Sequence, residues 1–143
     1  MGVCPRFSEM AITLDLPAGL TGTAEMVVGE QHTAPRVGSG RIRVLATPVM
    51  INLIEAAALA AVEQSLPEHH QSLGTHLDIT HVAATPVGMR VRATAKVLRV
   101  EGRTIYFEVR ADDERERIGE GTHERVVVNL DRFDQRVQEK SRG

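Results

Sequence analysis

The sequence predicts an α+β domain in which an antiparallel sheet wraps around one long central helix. Three observations carry that expectation. The segment from Thr47 to Pro67 is apolar on nearly every side until Glu63, too long for a strand and too greasy for a helix with a solvent face. From Leu73 onward the chain alternates apolar and polar residues in runs separated by turn residues, the period of strands. Finally, 143 residues fit one domain, and a chain of this size buries about two thirds of its unfolded surface. A lone apolar helix in such a domain must be covered by sheet.

Each element has its own local reason. Residues 9 to 16 alternate well enough for a strand, residues 17 to 22 supply turn residues, and Thr23 to Val28 reads as the partner strand. The stretch from 29 to 43 holds Gly29, Pro35, Gly38 and Gly40 with little apolar content, so a long loop or mobile lid is expected there. The helix should begin with Thr47 as its N-cap and Pro48 at the first helical position, where a missing N–H costs nothing, and Pro67 should stop it. Leu73 to Ala84 reads as a strand. Met89, Val91, Ala93, Ala95 and Val97 alternate with Arg90, Arg92, Thr94 and Lys96; after a turn at Glu101-Gly102, Ile105, Phe107, Val109 and Ala111 complete a hairpin. Ile118 to Leu130 is the last long strand, and residues 131 to 143 form a polar tail with the makings of a short helix. Two strands, a lid, one long helix and four strands make up the hotdog architecture, in a single domain over residues 1 to 143.

Composition narrows the function. Apolar residues are 42% and charged residues 25%, ordinary globular values, while aromatics at 3% require an aliphatic core. A net charge of -2, with basic and acidic residues interspersed, gives no field for nucleic acid. The single Cys4 cannot pair within the chain and points to a reducing compartment, so a cytoplasmic location is expected. No basic start followed by an apolar run suggests a leader, and Asn52, Glu55, Glu63 and Gln64 argue against a membrane span. His76 and His81 point to opposite faces of their strand and His69-His70 lies in a polar connection, so no metal site is expected.

Two polar residues stand where apolar ones belong. Glu55 shares its helix surface with Ile51, Asn52, Ala58 and Leu59, and a carboxylate in such surroundings finds partners or has its pKa raised. His81 rides the strand face of Leu77, Ile79 and Ala83. Each has a plain alternative. Thr47 serves well as a helix cap, Glu55 and His81 could be satisfied core groups, and Arg125, opposite Val126 and Val128, reads as a solvated or salt-bridged arginine. The arginines at 90, 92, 99 and 103 could meet the phosphates of a carrier such as CoA, yet an exposed strand face ordinarily carries such charges.

The run Ser-Leu-Gly-Thr-His-Leu-Asp-Ile-Thr-His-Val-Ala-Ala-Thr-Pro-Val-Gly-Met (72 to 89), the segment Val-Glu-Gly-Arg (100 to 103) and the run Ile-Gly-Glu-Gly-Thr-His-Glu-Arg (118 to 125) resemble the fluoroacetyl-CoA thioesterase family of hotdog enzymes. The resemblance spans residues 45 to 140. It implies hydrolysis of a small or moderate acyl-CoA thioester by a triad of Thr47, Glu55 and His81, with Gly74 near the substrate carbonyl and Arg125 beside the site. In chemical roles, His81 would be the general base, Glu55 the carboxylate that orients it, and Thr47 the hydroxyl that attacks or positions water. No cofactor is implied beyond the CoA of the substrate. Fluoroacetyl enzymes gate the pocket with phenylalanines ahead of the helix, whereas this chain has no aromatic residue between Phe7 and Tyr106. Pro48 also removes one helix-start N–H from the possible oxyanion donors. A homodimer is expected, because half-exposed strands with long edges favour pairing. The alternative reading is a non-catalytic hotdog module that binds acyl-CoA; a hydratase ranks lower, since the helix lacks an Asp and His pair.

Overall fold

The computed structural model describes residues 14–142. Five strands, β1 (Thr21–Val27), β2 (His70–His81), β3 (Arg90–Glu101), β4 (Thr104–Asp113) and β5 (Arg117–Asn129), form one antiparallel sheet in the order β1-β3-β4-β5-β2. Among the described residues three α-helices accompany it: α1 (Ala34–Val37), α2 (Thr47–Val62) and α3 (Leu130–Arg142). Of the strand expected over residues 9 to 16, the first five positions lie outside the described residues, and 14 to 16 are not in a strand. The polar tail is helical as α3.

The alternation read from sequence decides the layering. Val91, Ala93, Ala95 and Val97 of β3 and Ile105, Phe107, Val109 and Ala111 of β4 are buried, while Arg90, Arg92 and Lys96 stay in water. Against this face α2 buries Met50, Leu53, Ile54, Ala57, Ala58, Ala61 and Val62. Each large aliphatic side chain so enclosed contributes about 1.5–3 kcal/mol. Small residues let the helix come close. Gly22 of β1 sits opposite Ala95, and a Cβ there would stand 2.3 Å from both Ala57 O and Ala61 N. No side chain fits that gap.

The sheet does not enclose the helix. α2 packs on β1, β3 and β4, while Asn52, Ala56 and Ala60 are exposed and Ile51, Glu55 and Leu59 only half-buried. Among the described residues the expectation of a helix without a solvent face is therefore corrected: one apolar stripe remains open. Beside it runs β2, an edge strand whose residues from Gly74 to Thr80 are largely exposed, Leu77 at 39% among them.

The expected lid has a built base. Residues Glu30–His32 form a 3-10 turn, α1 follows, and Gly38 closes α1 in the left-handed conformation at φ 92. Ala34 N donates to Val44 O and Ala46 N to His32 O, tying both ends of the segment together, and Arg43 pairs with Glu30. The tip, residues 38 to 43, is exposed.

Candidate active site

The start of α2 differs from the sequence expectation by one residue. Ala46, not Thr47, is the N-cap, so Thr47 occupies the first helical position and Pro48 the second. No side chain caps the helix. The Thr47 hydroxyl is instead turned sideways, with Oγ1 2.7 Å from Nδ1 of His81 at the end of β2. Burial holds the His81 imidazole below its ordinary pKa of 6.5, so at neutral pH the ring is uncharged and has a lone pair to offer. Its other nitrogen, Nε2, is buried and has no well-formed hydrogen bond among the described residues, although the Ala83 backbone interacts with the ring and partly offsets the effect of burial. A cavity of about 360 Å³ opens beside this pair, walled by Ile42, Val44 and Leu45 of the lid segment and Val82 to Ala84 beyond β2. Val49 N–H and Met50 N–H both donate to Ala46 O, so the helix tip is partly spent on its own cap.

Glu55 lies elsewhere. Eight residues along a helix is an axial rise of about 12 Å with roughly 80° of rotation, so Thr47 and Glu55 do not share one hydrogen-bonding position within the chain. The Glu55 side chain, 33% exposed, accepts from Arg125 Nη1 through Oε2 at 3.1 Å. Gly74 lies against the same carboxylate: a Cβ on it would stand 2.6 Å from Glu55 Oε2 and 3.2 Å from Cε1 of His123. A bulge follows at once, the register with β5 shifting between Gly74 and His76.

Arg125 is not the solvated arginine that its alternation suggests. It is 4% exposed, and its Nε donates to Ser72 Oγ at 2.9 Å and its Nη2 to Ser72 O at 3.1 Å. Burial pulls its pKa down and the Glu55 carboxylate pulls it back up. His123 completes the cluster, fully buried, with Nε2 3.2 Å from Arg125 Nη1.

The structure thus places five expected residues in two groups, a hydroxyl with an imidazole and a carboxylate with an arginine and a glycine, on α2, the edge strand β2 and its neighbour β5. The family model described as fluoroacetyl-CoA-specific thioesterase matches residues 28–131. The chain belongs to this family. It is 43% identical over 98 residues, 68% of this chain and 70% of the other, to the fluoroacetyl-CoA thioesterase of Streptantibioticus cattleyicolor. A solved structure of a fluoroacetyl-CoA thioesterase superposes with a TM-score of 0.83 at 36% identity, covering 88% of this chain and 98% of that one. A hot-dog-like protein from Thermanaerovibrio acidaminovorans superposes at 0.80 with 26% identity, covering 87% and 93%. The hotdog fold and acyl-CoA thioester hydrolysis read from the sequence accordingly stand.

Membership in the thioesterase family gives the two polar groups their interest, and sequence reasoning saw only part of them. It missed Ser72 and His123. His123 belongs to a strand whose alternation is blurred by burial on both faces, Val126, Val127 and Val128 all being buried, and Ser72 lies on β2, where it reads as part of a polar connection. A histidine and an arginine two apart, at 123 and 125, was the signal available, because that spacing puts them on one strand face. The arginines considered for phosphate contact are mostly engaged: Arg90 and Arg92 pair with Glu25, and Arg99 pairs with Glu101 while lying 3.9 Å over the Tyr106 ring. Among the described residues there is no cluster of three or more His, Cys, Asp or Glu able to hold a metal, and no helix is long and apolar enough to cross a membrane.

The gap between Gly74 and Glu55 makes a direct prediction. Gly74→Ala should displace the carboxylate, whose flexible end can yield, and so lower kcat about tenfold through misplacement rather than unfolding. Steady-state kinetics alongside a melting curve check this; an unchanged kcat would mean the carboxylate position is immaterial.

Proposed function

We propose that this chain is a homodimeric acyl-CoA thioesterase whose proton-handling pair is Thr47 and His81 and whose orienting carboxylate is Glu55, supplied across the dimer interface. The observation that carries the reading is the buried Nε2 of His81, which has no well-formed hydrogen bond among the described residues while Nδ1 faces the Thr47 hydroxyl. In a hydroxyl–imidazole–carboxylate relay that nitrogen is where the carboxylate binds. Arg125 occupies only Oε2 of Glu55, so Oε1 is left for such a donor.

Symmetry supports the partner as the source. A twofold axis pairs a surface with itself, and the open stripe of α2 and the free edge of β2 lie side by side as one apolar and one unpaired surface among the described residues. Antiparallel α2 helices related about Ile51 set Thr47 opposite the partner subunit's Glu55. Antiparallel β2 strands related between Leu77 and Asp78 set His81 opposite the partner subunit's Gly74. Both midpoints exchange the same two polar groups.

The acyl group would enter the cavity beside Thr47, whose walls are mainly aliphatic with Ser39 and Arg41 among them; its volume suits a small or moderate chain. The family's aromatic gate has no counterpart here. Base catalysis by His81 then activates Thr47 or the water it orders, and a pre-steady-state burst of CoA release separates these two routes. Cytoplasmic operation without a cofactor is part of the same proposal.

Two experiments test it. Thiol release should be measured over a panel from acetyl-CoA and fluoroacetyl-CoA to hexanoyl-CoA; binding without release would establish the non-catalytic module instead. Mixing inactive Thr47→Ala with inactive Glu55→Gln should restore activity toward one quarter of wild type, roughly the yield of one intact site in each mixed dimer, which forms half the population when subunits exchange freely. No restoration after proven exchange would place the carboxylate and the hydroxyl in the same subunit.

A further inference from the structure

His123 and Arg125 lie two residues apart on the face of β5 that meets Glu55, and the chemistry of each atom between them is decided by its neighbours. Arg125 has only donors, so the His123 Nε2 that lies 3.2 Å from Nη1 must be the unprotonated nitrogen. His123 Nδ1 lies 2.8 Å from the carbonyl oxygen of His76, which only accepts, so Nδ1 carries the proton. Two neighbours with no alternative role therefore hold one neutral tautomer. Phe107, opposite His123 on β4, stacks on the ring at 5.9 Å between centroids and an interplanar angle of 27°. The imidazole cannot tilt away.

We propose that His123 is a positioning residue which, through Arg125, fixes the Glu55 carboxylate for catalysis. This rests on Glu55 being the orienting carboxylate. The two hydrogens of Nη1 are divided between Glu55 Oε2 and His123 Nε2, and Nε and Nη2 are both committed to Ser72. Ser72 alone would set the plane of the guanidinium along one edge. The imidazole lone pair sets the other edge, beside the hydrogen that grips the carboxylate. The charged groups that act on His123 are Arg125 and, from the other face, Glu124, both of its own strand, and Glu55 of α2, while β2 presents the His76 carbonyl. Burial, foremost, keeps the ring neutral and able to accept.

Two polar substitutions separate the accepting from the donating half of the ring. Gln reaches far enough to place an acceptor where Nε2 stands, whereas Asn reaches only the Nδ1 position and keeps the bond to His76. His123→Asn should lower kcat about tenfold or more with KM little changed, and His123→Gln should stay within about threefold of wild type. In a Glu55→Gln background His123→Asn should cost no further activity, because the carboxylate it positions is gone. Equal losses in the two variants, or the same fold-loss with and without Glu55, would make His123 a structural residue and overturn the proposal. If Glu55→Gln alone retains full turnover, the orienting-carboxylate reading fails first, a result visible before any His123 variant is made. Melting curves on all four proteins show whether a lost rate follows lost folding; an acidic shift in melting without the Asn–Gln difference in kcat also counts against positioning.

Discussion

His81→Ala should reduce kcat by about 10²–10⁴-fold, the range for removing a positioned general base, while the melting temperature stays within a few degrees of wild type. Among the described residues its Nδ1 bonds to Thr47 and the ring otherwise meets only the Ala83 backbone, so little folding energy depends on it. Glu55→Gln should lose a comparable amount by the same route: a neutral amide neither fixes the tautomer nor stabilises the imidazolium that forms as His81 takes a proton. Full activity in both variants would end the relay proposal. The pH profile has a defined sign. Within one chain burial lowers the His81 pKa, and a carboxylate docked on Nε2 would raise it again, so Glu55→Gln should move the acid limb of the residual kcat/KM to lower pH. Stability has its own dependence. Below 6.5 the unfolded chain binds a proton at His123 that the folded one resists, so the protein should lose stability as pH drops from that value. An acid limb that stays in place in Glu55→Gln would mean that the carboxylate does not touch His81.

Much of this architecture was legible because it is local. Alternation placed β3 and β4 and their buried faces, and the long apolar stretch placed α2, although the helix ends at Val62 and a 3-10 turn, Glu63–Ser65, intervenes before the expected stop at Pro67. His81 could be recognised because a lone polar residue interrupts the Leu77 and Ile79 series at a half-buried edge. Thr47 was read as a cap since Thr before Pro is a strong helix-start pattern. The structure moves the cap to Ala46 and releases the hydroxyl for His81. That difference of one residue has no local cause in the sequence; it follows from Ala46 N donating to His32 O and Leu45 N to Thr85 O, contacts between distant segments. Glu55 was expected to find a partner, but the partner lies 70 positions away and its strand is buried on both faces, so the periodicity that reveals a one-sided strand was absent there. The open stripe on α2 was not legible either. Composition says that a helix must be covered and does not say whether the cover is the same chain.

Arg125→Met tests whether the buried cluster holds structure as well as the carboxylate. Met matches the length of the arginine stem and keeps the apolar contacts, so the change removes four hydrogen bonds with little change in packing. Glu55, one third exposed, recovers water and contributes little to the loss. Ser72 and His123 are buried and cannot, and each stranded acceptor costs about 1–3 kcal/mol. The expected destabilisation is about 3 kcal/mol, a fall of roughly 6–12 °C in Tm for a domain of this size. Turnover should fall as well, since the carboxylate loses the grip on Oε2. Arg125→Lys separates the two effects: an ammonium keeps the charge beside Glu55 but lacks the planar fork that reaches Ser72 and His123 together, so it should recover part of the stability and little of the rate. Were Arg125→Met as stable and as fast as wild type, the buried arginine would be incidental to both fold and chemistry, and Glu55 would have to be held from the partner subunit alone.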